Sequence, residues 1–430
     1  MTHPPATPDT LSDPAMPHPL RLVVLNDFSS AKGGASSLAI ANANLMASMG
    51  VPVTFLCGDH RPDDGALNAD VSRIGLDGAA IDPARPLNNA INGLYNAAAQ
   101  RFLADWIGAH DTPHTVYHLH GWSKIFSPSI FRALARVSSR TLVHAHDYFP
   151  ACPNGAFINY PQMKECELLP TQVGCLLSHC DQRSYPQKLW RVARHQVKNH
   201  WFNLKDSSFR IALPHEAMRP YFLRSGSLDH TVLTIPNPVV PFTTDRIPAE
   251  ANAEFLFIGR LVPEKGVDTF LAAAQRARVK AKVIGAGPLL DPLKAQYPDV
   301  EFTGWQDRDT IGAHLRHARA VIMPSRLRET FGLVAIESIA SGIPVVVSTS
   351  SAVAADLVRM NAGMTVSPDN VEQLGQLMGQ LNTSDTLVRT MSDNGHAHWR
   401  QVANTTDSWA GALRSLYGAM AGEPSHIRTH

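Results

Sequence analysis

The chain has almost no charge to spare. Its 430 residues carry 38 Lys and Arg against 37 Asp and Glu, a formal net charge of +1. No long-range field of the kind that gathers nucleic acid can arise from that balance, so any contact with a membrane would have to be local. Long apolar runs are missing too. No stretch of about eighteen or more apolar residues is present to span a bilayer, and the N-terminus lacks the basic-then-apolar order of a secretory signal. A cytoplasmic protein is expected. Cysteines number only five, and in a reducing cytosol disulfides are not expected among them. Residues 1–19 are rich in proline and poor in large apolar side chains, which predicts a disordered tail.

What the sequence does have is an alternation of strands and helices, in a length sufficient for two domains. Apolar runs that read as strands recur at 21–26, 51–57, 115–119, 141–144, 209–213 and 232–236, with helical patterns between them at 36–49, 88–110 and 128–137. A Pro-rich passage at 236–248 reads as a linker. A second series follows, with strands near 254–258, 282–284, 300–303, 320–323 and 345–347 and helices to the end. This is the signature of doubly wound parallel sheets.

Chemistry-bearing residues gather where strands end. Glu329 falls in the loop after the strand 320–323, and Glu337 falls inside the helix 333–340 that Gly342 and Pro344 stop. The N–H groups of Phe331, Gly332 and Leu333 open that helix without intrahelical partners, which makes a seat for an anion such as a phosphate. The alternative is a capped helix with one exposed acid. Arg260 and Lys265 stand at another strand-to-helix loop, where two cations could neutralise a diphosphate. Gly33 and Gly34 form a third such loop, and a glycine pair there lets a ligand approach backbone. Gly285-Ala286-Gly287 lacks the third glycine of a dinucleotide fingerprint, since position 290 is Leu290, and this argues against a nicotinamide enzyme. His118, His120, His144 and His146 lie at the ends of two strands, but one strand can aim only a pair at one face, and no metal is expected there. Cys152, Cys166, Cys175 and Cys180 fall within 29 residues. Their spacing is not the tight pairing of familiar zinc sites, and a structural zinc is held as the alternative to four free thiols. The basic stretch 183–205 reads either as an amphipathic surface helix with its apolar side on the core or as a surface for anionic lipid.

The stretch Glu-Thr-Phe-Gly-Leu-Val-Ala-Ile-Glu at 329–337 resembles the Glu-x7-Glu motif of the retaining glycosyltransferases of family four, whose fold is called GT-B. The Gly-Arg-x4-Lys-Gly run at 259–266 resembles that family's diphosphate loop, and His144-Ala145-His146-Asp147 resembles its His-rich strand end. The resemblance implies two Rossmann-like domains, 20–240 with a cysteine-bearing insertion at 148–186 and 241–395, facing across a cleft. Helices at 396–430 are expected to cross back to the first domain. It implies that Glu329 holds the donor sugar, that Glu337 holds the ribose, and that Arg260, Lys265 and the 331–333 helix start hold the diphosphate. Gly33 and Gly34 become donor contacts; His146 serves the reacting centre, with Asp147 orienting it or approaching the acceptor. The implied function is transfer of a sugar from a UDP- or GDP-sugar to a glycan or lipid-linked acceptor in bacterial polysaccharide synthesis, with no obligatory cofactor. Peripheral contact with the inner membrane and absence of nucleic acid complete the expectation. A GT-B epimerase or phosphorylase, or a non-catalytic sugar-nucleotide binder, are the alternatives.

Overall fold

The computed structural model describes residues 20–59, 65–80, 86–205 and 208–422. The segment read as a disordered tail lies outside the described residues. The first domain is built on a seven-stranded sheet, and its strands are β1 (Arg21–Asn26), β2 (Val53–Cys57), β3 (Val71–Gly75), β4 (Thr115–Leu119) and β5 (Thr141–His144). A small antiparallel pair, β6 (Ile158–Asn159) and β7 (Lys164–Glu165), interrupts the series before β8 (Arg210–Leu213) and β9 (Val232–Thr234) complete it. The order in the sheet is β3-β2-β1-β4-β5-β8-β9, every pair parallel. A second parallel sheet of six strands comprises β10 (Glu254–Ile258), β11 (Lys280–Ile284), β12 (Glu301–Phe302), β13 (Ala318–Met323), β14 (Val345–Ser348) and β15 (Gly363–Val366). Its order is β12-β11-β10-β13-β14-β15.

Central strands such as Leu22-Val23-Val24-Leu25 and Ala320-Val321-Ile322 are buried along their whole length, as a parallel sheet covered by helices on both faces requires. Loops leaving the carboxyl ends of β1, β4, β5, β10 and β13 therefore supply the ligand-facing chemistry of the two domains.

Two chain crossings join the domains side by side. The first runs through Pro236–Pro248; the second passes Asn404, whose carbonyl accepts from Val239 N at 2.8 Å while its own N–H donates to Asn237 O at 3.2 Å. Helix Thr406–Met420 follows, started by a capping box between Thr405 and Ser408. Its Trp409, Leu413 and Tyr417 are fully buried in one cluster with Leu22, Val24, Leu38 and Phe55 of the first domain.

The basic stretch departs from its sequence reading. Helix Tyr185–Trp201 turns Lys188, Arg194 and Lys198 inward together with Val192, while Leu189 is exposed. Each buried cation caps carbonyls of neighbouring loops. Lys188 donates to Cys175 O and, at 2.7 Å, to Leu176 O. Arg194 donates to Gly93 O at 2.8 Å and Ser123 O at 2.9 Å, and Lys198 to Pro150 O at 2.6 Å. Carbonyls that strands do not pair, those of Pro150, Cys175 and Leu176 in the insertion 148–186 and of Gly93 and Ser123 outside it, are satisfied by long basic side chains with their stems in the core. Those three cations are therefore not part of a membrane-facing surface.

Candidate functional site

A cleft of about 430 Å³ opens between the carboxyl ends of the two sheets. From the first domain it is lined by Gly34, Ala35, Leu38, His146, Pro214 and Asn237; from the second by Gly259, Arg260, Lys265, Ser325, Glu329 and the run Thr330 to Val334. The loops that face each other are helix starts. Gly33 (φ 88°) and Gly332 (φ 75°) both take a positive φ as N-caps of helices Gly34–Ser48 and Leu333–Ala340, a backbone that glycine adopts without steric cost. A β-carbon on Gly34 would sit 3.8 Å from Leu333 Cδ1, so the two domains approach closely there. Thr330 ties them further by donating its hydroxyl to His146 O at 3.1 Å.

Glu329 is the polar centre of the cleft. Its Oε1 is 2.5 Å from Lys265 Nζ and 2.8 Å from Ser325 Oγ, and its backbone carbonyl is fixed by Ala352 N at 3.0 Å. Burial alone would raise the carboxyl, but Lys265, Ser325 and Arg260 outweigh it and hold Glu329 below the ordinary glutamate value. It stays an anion beside two cations. Arg260 is exposed on the cleft wall.

Glu337 is placed apart from this centre. It lies one turn into its helix, outside the cleft lining, with Oε1 2.5 Å from Arg308 Nη1. Burial raises its carboxyl, and Arg308 offsets this only in part. Arg308 also reaches Val240 O in the interdomain linker and stacks 4.4 Å above the Phe242 ring. Gly33 likewise caps its helix without lining the cleft.

A second cavity of about 170 Å³ adjoins the first and shares Ala35 and His146 with it. Asp147 lies here, with Asp27, Lys124 and Trp122. Burial pushes the Asp147 carboxyl up to about 6, although Phe149 N donates to it at 2.9 Å. Asp27 accepts from Lys124, Ile125 and Phe126 N at 2.7–2.9 Å; burial nevertheless leaves its carboxyl raised. No motif pointed to Asp27, because its partners lie 97 to 99 residues downstream.

The four histidines are brought together, which the strand argument had not foreseen. Each strand supplies a pair, and because β4 and β5 are neighbours the pairs pool. His118, His120 and His144 have ligand atoms within 4.8 Å of one another, and among the described residues this is the only group of three or more His, Cys, Asp or Glu side chains so arranged. The rings stack, with His144 and His146 4.2 Å apart at 6°. Burial, reinforced for His118, His120 and His146 by neighbouring imidazoles, depresses all four, His144 to about 4. They are neutral at physiological pH. Cys152, Cys166, Cys175 and Cys180 line one small cavity elsewhere, in the insertion, and none of them forms a disulfide.

Residues 252–384 match the model of a family described as "Glycosyl transferases group 1". The GDP-mannose-dependent alpha-(1-6)-phosphatidylinositol monomannoside mannosyltransferase of Mycobacterium tuberculosis is 29% identical over 164 residues, which cover 33% of this chain and 43% of that protein. The chain spans less than half the length of the curated relatives it matches. Among solved structures, sucrose-phosphate synthase from Thermosynechococcus elongatus superposes with a TM-score of 0.67 at 16% identity, over 94% of this chain and 99% of that one. HepE of Anabaena in complex with UDP gives 0.64 at 15%, over 93% and 100%. Among the described residues no helix is long and apolar enough to cross a membrane. The chain thus has the GT-B fold, and its residues 252–384 match the model of the glycosyl transferases group 1 family.

Proposed function

We propose that the protein is a retaining glycosyltransferase that moves a sugar from a nucleoside diphosphate sugar to a glycan or lipid-linked acceptor in bacterial polysaccharide synthesis. The observation that carries this reading is Glu329, a half-buried anion held by Lys265 and Ser325 in an interdomain cleft that a helix start and Arg260 also line. Cations and backbone N–H groups on one side suit a diphosphate leaving group. The Glu329 carboxylate, which lines the same cleft as His146, suits sugar hydroxyls and the positive charge that develops at an anomeric carbon. Lys265 and Arg260 neutralise the diphosphate, Gly34 and Phe331 to Leu333 approach it through backbone, and Glu337 takes the ribose once Arg308 shares its carboxylate. Asp147, in the adjoining cavity, stands on the acceptor side. The HepE structure is titled as a UDP complex and the mycobacterial relative is named for GDP-mannose, which makes UDP- and GDP-sugars the donors to try first.

The test is a thermal-shift screen of nucleotide sugars, followed by incubation with labelled donor and acceptor lipid or glycan extracts. Ligand at a hundred times its dissociation constant should stabilise by about 2.7 kcal/mol. Transfer or slow hydrolysis with retained anomeric configuration supports the proposal. An epimerised sugar, or binding without turnover, would replace it with one of the two other readings.

A further inference from the structure

Asn42 sits on the first helix, wholly buried, at the back of the histidine stack. Its Nδ2 lies 2.9 Å from His118 Nδ1, 3.3 Å from His120 Nε2 and 2.9 Å from the Tyr417 hydroxyl, while its Oδ1 meets only that hydroxyl, at 3.1 Å. Reversing the amide would leave the nitrogen with Tyr417 alone and one of its two hydrogens without an acceptor in the protein interior, an arrangement that buried polar groups avoid. The nitrogen therefore faces the two imidazoles. The Tyr417 hydroxyl is also 2.5 Å from His118 Nδ1, and because the amide nitrogen 2.9 Å away can only donate, that ring nitrogen accepts.

A neutral imidazole that accepts through one nitrogen carries its hydrogen on the other. His118 therefore donates through Nε2 to His144 Nδ1 at 3.2 Å, and His120 donates through Nδ1 to His146 Nε2 at 2.9 Å. With Nε2 of His146 accepting, its hydrogen is on Nδ1. Both ring-to-ring hydrogen bonds of the stack are satisfied by this single assignment, which puts the His144 hydrogen on Nε2, toward the Asn237 side chain. It needs no charged ring, in keeping with the depressed basicity of all four.

We infer that Asn42 is a positioning residue which, through His120, fixes the tautomer of His146, so that His146 meets a ligand in the cleft as an Nδ1–H hydrogen-bond donor and has no free lone pair for taking a proton. The group it would serve is an oxygen that accepts a hydrogen bond, such as a sugar hydroxyl. Tyr417 brings the crossing helix into the same device, since its hydroxyl holds Asn42 in place. The identity of the cleft ligand rests on the proposed glycosyl transfer; the tautomers do not.

Ring nitrogen–proton correlation spectra of protein labelled with ¹⁵N-histidine test this directly. His120→Gln and His146→Gln each should remove one resonance set of the Nδ1–H form, the less common tautomer of free histidine. Asn42→Asp replaces the donor by an acceptor-only group, so both facing imidazoles must donate to it and His146 should change to the Nε2–H form. In that variant turnover should fall by roughly a hundredfold, the loss expected for one donor in a polar site, with the KM for the donor nearly kept. An Nε2–H signal for His146 in the wild-type protein would overturn the inference, and so would unchanged tautomers in folded Asn42→Asp. If Asn42→Asp does not fold, the wild-type spectrum still decides. Tautomers as assigned in a protein that turns over no nucleotide sugar would uphold the relay and refute only the glycosyl-transfer reading.

Discussion

Lys265 Nζ lies 2.5 Å from Glu329 Oε1, so the cation assigned to a diphosphate and the carboxylate assigned to a sugar hold each other. Lys265→Ala should then do two things. It should weaken binding of a nucleoside diphosphate, because a cation facing the phosphates is gone, and it should leave Glu329 buried without its main counter-charge. Glu329 is depressed in the folded protein, so its pairing contributes stability that is present above the ordinary glutamate value and is lost as pH falls through the lowered one. The variant should be less stable at pH 7 by roughly 1.5–3 kcal/mol, the range for hydrogen bonds to charged groups, and the deficit should shrink as pH falls below the ordinary glutamate value. Melting curves from pH 7 downward check this; a deficit that does not change with pH would show that the ion pair is not its source.

Glu329→Gln separates binding from turnover. The amide keeps the size and one acceptor of the carboxylate but none of its charge, so affinity for the free nucleoside diphosphate should change little. An anion near a centre that becomes positive helps most in the transition state, and turnover should fall by roughly a hundredfold or more. Calorimetry with UDP and GDP beside initial rates reads both quantities. Near-wild-type rates would leave Glu329 as a loop anchor for Ser325 and Lys265.

Glu337 is held by Arg308, which also holds the linker carbonyl of Val240. Glu337→Gln should weaken donor and nucleoside diphosphate alike, by roughly 1.5–3 kcal/mol, since both carry the ribose. Arg308→Ala should add a pH dependence to that binding. Burial already raises the Glu337 carboxyl, and without its guanidinium the group protonates nearer neutrality, so affinity should fall as pH drops toward 5. Equal affinities at pH 5 and pH 8 in Arg308→Ala would separate Glu337 from the ligand.

The fold was legible because apolar strands alternate with helical patterns over the whole chain, and because loops with glycine or paired charges fall where parallel strands end. Glu329, Lys265, Arg260 and His146 could be found for the same reason: each follows a strand within a few residues. What the sequence hid is long-range. Asn42 and Tyr417 are 375 positions apart and meet only because the last helix returns to the first sheet. The histidines looked like two separate pairs because strand adjacency is not written in either strand. The basic helix misled for a physical reason, since a charge run normally faces water, and here unpaired carbonyls draw three cations inward, those of the irregular insertion for Lys188 and Lys198 and those of Gly93 and Ser123 for Arg194.

Asp147 offers a pH-dependent readout of the adjoining cavity. Burial lifts its carboxyl from an ordinary 3.8 to about 6. A folded-state value raised above the unfolded one means that its favourable contribution is complete below about pH 4 and is lost as pH rises through 6. A separation of about two pH units is worth at most ~3 kcal/mol. Asp147→Asn should therefore stabilise the protein at pH 8 and hardly change it at pH 4, while lowering transfer to the acceptor and sparing donor binding. Urea titrations at the two pH values measure the difference; a variant less stable than wild type at pH 8 would show that the charge is compensated in the fold.

Lys198 carries the opposite dependence. It is fully buried, donates to Pro150 O at 2.6 Å and stands 4.9 Å from the Phe202 ring. Among the described residues no carboxylate forms an ion pair with it, and burial pushes its ammonium down from 10.5 to about 7. Between those values the unfolded chain binds a proton that the folded protein does not, so stability should rise as pH increases from 7 toward 10. The penalty is greatest below pH 7, where the buried ammonium must stay charged, and its upper bound is ~5 kcal/mol from the separation of the two values. Lys198→Met keeps the volume and removes the charge, at the cost of leaving Pro150 O without its donor, about 1 kcal/mol. The variant should be more stable than wild type at pH 6, and the two should converge and then cross as pH approaches 10. Chemical denaturation at pH 6, 8 and 9.5 follows the difference directly. A gap that does not change across that window would mean that Lys198 stays charged in the fold at no electrostatic cost.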